Sequence, residues 1–249
     1  MADAVTLDWQ EGGAIALVTM AEREGRNTFT IPLVTGLAEA FSAIAAAPEA
    51  KVVVLTGYDT IFSAGGTLEE LIGIADGKQR FDEAGFFRML LDCELPVIAA
   101  MQGHALGGGL VFGLYADLCV LAQEALYATN FMKYGFTPGM GATLIVPNRL
   151  GQALGQEMLF TAQGYHGGVL KQRGVGMPVV PRGEVLSVAL RLARELAVKP
   201  AVALRLLKDA LAAPIREALP AAVAREQAMH EVTFSQPGIH EAIRGRFGA

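Results

Sequence analysis

Apolar positions along this 249-residue chain follow two regimes. In the first two thirds, short continuous apolar runs alternate with segments in which apolar residues recur every three or four positions. The runs read as buried strands and the periodic segments as amphipathic helices. Val5–Trp9 and Ala14–Met20 predict paired strands around Glu11-Gly-Gly13, a hairpin turn signal. Glu22–Asn27 reads as a polar loop. Leu33, Leu37, Phe41 and Ile44 give a helix over Ile31–Ala47, followed by a strand at Val52–Leu55. A helix at Leu68–Ala75, a polar break at Asp76-Gly77 and a helix from Phe81 to Leu91 come next. Then come a strand at Pro96–Ala100, a helix at Val111–Ala116 and a strand at Asp117–Leu121. Tyr134–Gly141 reads as a loop, Ala142–Leu150 and Ala153–Thr161 as helices, and Val175–Val180 as a strand.

From Val185 the pattern becomes wholly helical, with helices at 185–197, 201–212, 215–234 and 239–247. The expectation is an α/β core over residues 1–184 and a helical region over 185–249. No internal repeat or low-complexity linker interrupts the chain.

Composition narrows the function. The chain is 52% hydrophobic and 18% charged, which suits a large core and buried subunit contacts. Its net charge of −5 leaves no basic footprint for nucleic acid. Cys93 and Cys119 lie in apolar contexts and read as reduced, buried thiols. Neither a secretory leader pattern nor a run of about twenty apolar residues occurs, so a soluble cytoplasmic protein without membrane contact is expected.

Two glycine-rich turns carry the candidate chemistry. Met101-Gln-Gly-His-Ala-Leu-Gly-Gly-Gly-Leu110 joins an apolar strand pattern to a helix pattern. Ile61-Phe-Ser-Ala-Gly-Gly-Thr-Leu68 does the same upstream. Glycine at a strand-to-helix junction lets a ligand approach the backbone, and the first amides of a helix have no intrahelical acceptor. Backbone N–H groups so placed suit an oxyanion hole. Either turn alone reads equally well as a tight βα connection. The pair, in this order and spacing, points to a thioester oxygen held by one amide from each.

At these residues the chain resembles the crotonase (enoyl-CoA hydratase/isomerase) superfamily over nearly its whole length. The resemblance implies a spiral of ββα turns with a C-terminal helical region that packs against neighbours in a homotrimer. It also assigns the oxyanion amides to Gly66 and Gly108. Hydratases of that family activate water with two glutamates, and their places here fall on Val111 and Phe131. Neither side chain moves a proton, so hydration is not expected. An apolar pocket beside an oxyanion hole suits loss of CO2 from a desolvated carboxylate instead.

A closer resemblance lies in Asp92–His104, Thr129–Thr143 and Met229-His-Glu-Val-Thr-Phe234. These stretches look like the enoyl-CoA hydratase-like decarboxylases of polyketide β-branching cassettes. Those enzymes convert 3-methylglutaconyl to 3-methylcrotonyl groups on an acyl carrier protein. By that resemblance His230 is the polar active-site histidine. The loop cation is Lys78, with Arg80 as the substitute should the register slip by two. A lone helical histidine is more often packed or solvated than catalytic. His104 reads as structural, His166 as solvated, and His240 lies on an amphipathic C-terminal helix. No metal spacing is present and no cofactor is expected; the phosphopantetheine arm is the handle. Carrier docking needs a local basic patch, for which Arg23, Arg26 and Lys133 are candidates. The competing readings are an enoyl thioester isomerase of the same fold and a non-catalytic carrier-binding scaffold.

Overall fold

A computed structural model describes residues 4–78 and 85–247. In chain order the elements are β1 (Val5–Gln10), β2 (Ile15–Met20), α1 (Ile31–Ala46), β3 (Val52–Thr56), β4 (Ile61–Ser63) and α2 (Leu68–Ala75). Next come α3 (Met89–Asp92), β5 (Val97–Met101), β6 (His104–Leu106), α4 (Gly108–Leu114), β7 (Leu118–Ala122) and β8 (Leu126–Ala128). They continue with α5 (Ala142–Leu150), α6 (Gln152–Thr161), β9 (Gly164–His166) and α7 (Gly167–Gln172). The chain ends with β10 (Val179–Val180), α8 (Arg182–Ala197), α9 (Ala201–Thr233) and α10 (Ile239–Arg246).

The strands form two sheets. A six-stranded sheet runs β1-β2-β3-β5-β7-β10, and a four-stranded sheet runs β4-β6-β8-β9. Each turn of chain gives one strand to each sheet before its helix: β3, β4, α2, then β5, β6, α4. This is the expected ββα spiral. β3 and β5 are buried along their whole length, which explains why they read as unbroken apolar runs rather than alternating ones. The strands of the smaller sheet are three residues each, too short to show a period beside their glycines.

Several expectations need correction. Only Val179–Val180 of the expected 175–180 strand pairs, with β7. Of the expected 81–91 helix, residues 81–84 lie outside the described residues; the rest is a 3-10 turn at Phe86–Arg88 followed by the four-residue α3. The two expected helices at 201–212 and 215–234 are one 33-residue helix that continues through Pro214 and Pro220. Proline removes one backbone donor, but here the buried stripe overrides the break signal. Leu204, Lys208, Ala212, Leu219, Ala222, Glu226 and His230 recur at three-, four- and seven-residue steps along one face. The expected boundary at 184/185 falls inside α8, which packs across β3, β5 and β7.

Candidate active site

The smaller sheet brings the two glycine turns together. β4 and β6 pair in parallel, so the segments that follow them emerge at the same end of the sheet. The turns then pack backbone against backbone. A Cβ on Gly65 would stand 2.7 Å from the Leu106 carbonyl oxygen and 3.2 Å from the Gly108 nitrogen. A Cβ on Gly109 would stand 2.3 Å from the Ser63 carbonyl oxygen. No side chain fits at either contact, and Gly65 also has a φ of 84°. Among the described residues the N–H groups of Gly66 and Gly108 have no hydrogen-bond acceptor. Both residues line one pocket.

The polar loop before α1 holds the first turn in place. Asn27 is fully buried; its Nδ2 donates to the Met20 carbonyl at 3.0 Å and the Phe62 carbonyl at 2.9 Å. Ser63 Oγ donates to the Asn27 carbonyl at 2.7 Å, and the Phe29 N–H donates to the Gly65 carbonyl at 2.8 Å. Composition marked this loop only as polar; its anchoring role comes from a long-range pairing no local pattern reveals.

The pocket between the turns is largely aromatic. Phe29, Leu71, Phe86, Phe131, Phe136, Met140 and Phe247 line it, with Glu70, Asn130 and Tyr134 as its polar side chains. Phe29 and Phe86 meet edge to face at 4.7 Å, and Phe112 closes against both from behind. Phe131 is among the lining residues. Val111 does not: it is fully buried, and it is not among the lining residues.

Glu70 was not singled out from the sequence, although Thr67-Leu-Glu-Glu70 carries a capping-box signature. Thr67 Oγ1 accepts the Glu70 N–H at 3.0 Å, and Glu70 Oε2 accepts the Thr67 N–H at 3.4 Å. That capping box holds the carboxyl at the pocket wall, four residues after Gly66. Burial raises its pKa above the ordinary carboxylate range, opposed by the Thr67 N–H.

His230 lies one layer behind the wall rather than on it. Its side chain is buried, and Nε2 is 2.9 Å from the Thr137 carbonyl oxygen. A carbonyl only accepts, so Nε2 carries the proton. The ring meets Phe234 edge to face at 5.4 Å, and Phe234 stacks on the pocket-lining Phe136 at 4.6 Å. Burial pulls the imidazole pKa below its usual value, and backbone contacts with Thr137 and Pro138 oppose that shift.

Lys78 is not brought to this pocket. Its side chain is 74% exposed, and Nζ pairs with Asp76 Oδ2 at 2.9 Å in a surface groove beside Leu68, Ile72 and Arg244. The expected convergence of Lys78 and His230 is therefore absent from this arrangement. Arg80 lies outside the described residues.

The other histidines fall into place. His104 Nδ1 accepts the Leu126 N–H at 2.9 Å and so ties β6 to β8, a structural role. His166 is exposed. His240 Nε2 meets Asp76 Oδ1 at 2.9 Å, linking α10 to the end of α2. Cys119 is buried, with its thiol pushed up to about 12 by desolvation, and Cys93 is half-buried; both are free thiols.

The family model for enoyl-CoA hydratase/isomerase matches residues 10–246. The bacillaene synthase decarboxylase PksI of Bacillus subtilis is 49% identical over 235 residues, covering 94% of each chain. A solved structure from a dehydratase/decarboxylase couple involved in polyketide β-branching superposes with a TM-score of 0.96 at 48% identity, covering 99% of this chain and 100% of that one. The ECH2 decarboxylase domain of CurF from Lyngbya majuscula superposes with a TM-score of 0.94 at 43% identity, covering 98% of this chain and 100% of that one. The chain belongs to the enoyl-CoA hydratase/isomerase family.

Proposed function

We propose that this protein decarboxylates a 3-methylglutaconyl thioester on an acyl carrier protein, giving the 3-methylcrotonyl thioester during polyketide β-branching. The observation that carries the reading is the meeting of the Gly66 and Gly108 amides, without acceptors among the described residues, with an aromatic pocket lined by Phe131, a place the resemblance gives to a water-activating glutamate. Kinship with decarboxylases at 49% and 43% identity supports the same chemistry over isomerisation.

In this mechanism the thioester oxygen lies between the two amides. The carbon–carbon bond to the carboxylate breaks and CO2 leaves. Its electron pair spreads through the conjugated system onto the thioester oxygen, where the amides stabilise the charge. Protonation at C4 restores the α,β-unsaturated thioester. The aromatic walls desolvate the carboxylate and so favour its loss. By the resemblance a cation on the loop after α2 orients the leaving carboxylate, a role that falls to Arg80 while Lys78 stays paired with Asp76, and His230 or that cation supplies the proton. No metal or redox cofactor is required.

The substrate enters on the phosphopantetheine arm of its carrier. Arg26 and Lys133 are exposed, and Arg26 lies close enough to Tyr134 at the pocket wall for its charge to act on the phenol. Together with Arg23, which pairs with Asp59 at 2.8 Å, they are the candidates to meet an acidic docking helix. A homotrimer in the cytoplasm completes the reading. Val202, Leu206, Leu207 and Leu211 stand exposed on α9, an apolar patch that association would cover. No helix among the described residues is long and apolar enough to cross a membrane.

The test loads 3-methylglutaconyl onto a carrier protein and follows loss of CO2 by intact-protein mass spectrometry. Conversion to the 3-methylcrotonyl carrier supports the reading. A shifted double bond with no mass loss makes the protein an isomerase, and an unchanged carrier makes it a binding scaffold.

A further inference from the structure

α5 begins without a cap of its own. Its N-cap position is Gly141, with a φ of 73°. A Cβ there would stand 2.3 Å from Tyr115 Oη and 2.4 Å from Leu219 Cδ1. Packing therefore forbids the Ser, Thr, Asp or Asn that would ordinarily accept the first helical N–H groups. The acceptor comes from α9 instead. Glu226 is fully buried; its Oε2 accepts the Gly141 N–H at 2.7 Å. Its Oε1 accepts the Thr143 N–H at 2.8 Å and the Thr143 hydroxyl at 2.6 Å. A carboxylate at this end of a helix is also favoured by the helix dipole.

The segment so held is the pocket wall. One helical turn after Glu226, His230 meets the Thr137 carbonyl at 2.9 Å, so α9 grips residues 137 and 141–143 from the same face. Between them lies Met140, with a φ of 62° and its carbonyl held by Tyr115 Oη at 2.7 Å. A Cβ on Gly108 would stand 2.8 Å from Met140 Sδ. A shift of this segment would therefore be felt at Gly108 and at His230 together.

We propose that Glu226 is a positioning residue for the reaction, fixing the Thr137–Thr143 wall so that the Gly108 amide and His230 keep their relation to the substrate. This rests on the decarboxylase reading. Misplacement of a reacting group by about 1 Å costs roughly a hundredfold in rate, which sets the scale. Glu226→Gln keeps one accepting oxygen and loses the second. Thr143→Val removes only the hydroxyl contact.

The experiment measures kcat and KM for the carrier-bound substrate in the parent, Glu226→Gln and Thr143→Val, alongside Lys208→Met, which loosens α9 elsewhere. The expected result is a fall in kcat of roughly ten- to a hundredfold for Glu226→Gln and a smaller fall for Thr143→Val. KM should stay within about threefold of the parent in both. Lys208→Met, compared at matched folded fraction, should keep the parent kcat. Parent-like kcat in folded Glu226→Gln overturns the proposal, as does an equal loss in Lys208→Met, which would make the effect general loosening. If Glu226→Gln does not fold, Thr143→Val decides: unchanged kcat overturns the proposal. A parent that releases no CO2 refutes the function itself and is distinguished from either result.

Discussion

Lys208 Nζ lies 2.9 Å from Asp117 Oδ1 and 2.8 Å from Asp117 Oδ2, on a side chain only 1% exposed. A further ammonium contact goes to the Leu90 carbonyl at 3.1 Å. Asp117 Oδ2 also accepts the Val97 N–H at 2.8 Å, at the start of β5. The pair ties the middle of α9 to the entry of a central strand.

Breaking that pair by removing one partner should be costly. Lys208→Met leaves the Asp117 carboxylate with the Val97 N–H and little water. Loss of one member of a buried pair destabilises by about 3–5 kcal/mol. The partial exposure of Asp117 places the expectation near about 3 kcal/mol, the lower end of that range. Lys208→Met/Asp117→Asn should recover part of the loss, because no uncompensated charge remains. Urea unfolding midpoints check both; an unchanged midpoint in the single variant would show that the pair contributes nothing net.

Glu70 should give the chain a pH-dependent weakness. Burial raises its folded pKa, so the folded state binds this proton more readily than the unfolded chain does. The associated stability is fully present below the unfolded value of about 4.3 and is lost as pH rises through the folded value. Glu70→Gln cannot ionise and still offers an oxygen to the Thr67 N–H. The variant should therefore melt above the parent near neutral pH, and the two should converge in acid. A gap of equal size at both pH values would mean that packing, not ionisation, sets the difference.

The Gly108 amide is the most direct test of the oxyanion hole. Gly108 is the first residue of α4, where proline is compatible with helix geometry, so Gly108→Pro removes the N–H at a tolerated position. Turnover should fall by roughly a hundred- to a thousandfold, the scale for losing one such donor. The neighbouring Phe29 and Met140 crowd this position, so circular dichroism must first show a folded variant. Folded Gly108→Pro with parent turnover would remove this amide from the mechanism.

The spiral was legible in the sequence because its main strands are buried on both faces and its helices keep a clean period. Both glycine turns could be read for the same reason: they interrupt strong patterns on either side. What escaped depends on pairing at a distance. β4, β6, β8 and β9 gain their identity only from each other. Asn27 becomes an anchor only once Met20 and Phe62 lie beside it. The helix through Pro214 and Pro220 persists because its buried face supports it, a tertiary effect that local rules oppose. Phe131, singled out by its motif, lines the pocket. Lys78 could not be placed, since loop register depends on where Asp76 and α10 fall.

The sharpest remaining test separates the loop cations from the histidine. Lys78 is tied to Asp76 at the surface, so Lys78→Ala should leave kcat and KM within about twofold of the parent, as for most exposed pairs. Arg80→Ala should then be the variant that loses carboxylate handling, by the resemblance that places a cation on this loop. His230→Gln should bind substrate and lose roughly a hundred- to ten-thousandfold in turnover, the range for a missing proton donor. The pH profile identifies the form that acts. Burial holds the His230 pKa below its ordinary value, so at neutral pH the protonated ring is the minor form. If the imidazolium protonates C4, parent turnover should rise as pH falls from neutral toward that lowered value, and His230→Gln should lose the rise. The carrier-bound substrate assay, run across pH for the parent and all three variants, measures this. Parent-like turnover in His230→Gln would remove the histidine from proton delivery, and a dead Lys78→Ala would return the loop role to Lys78.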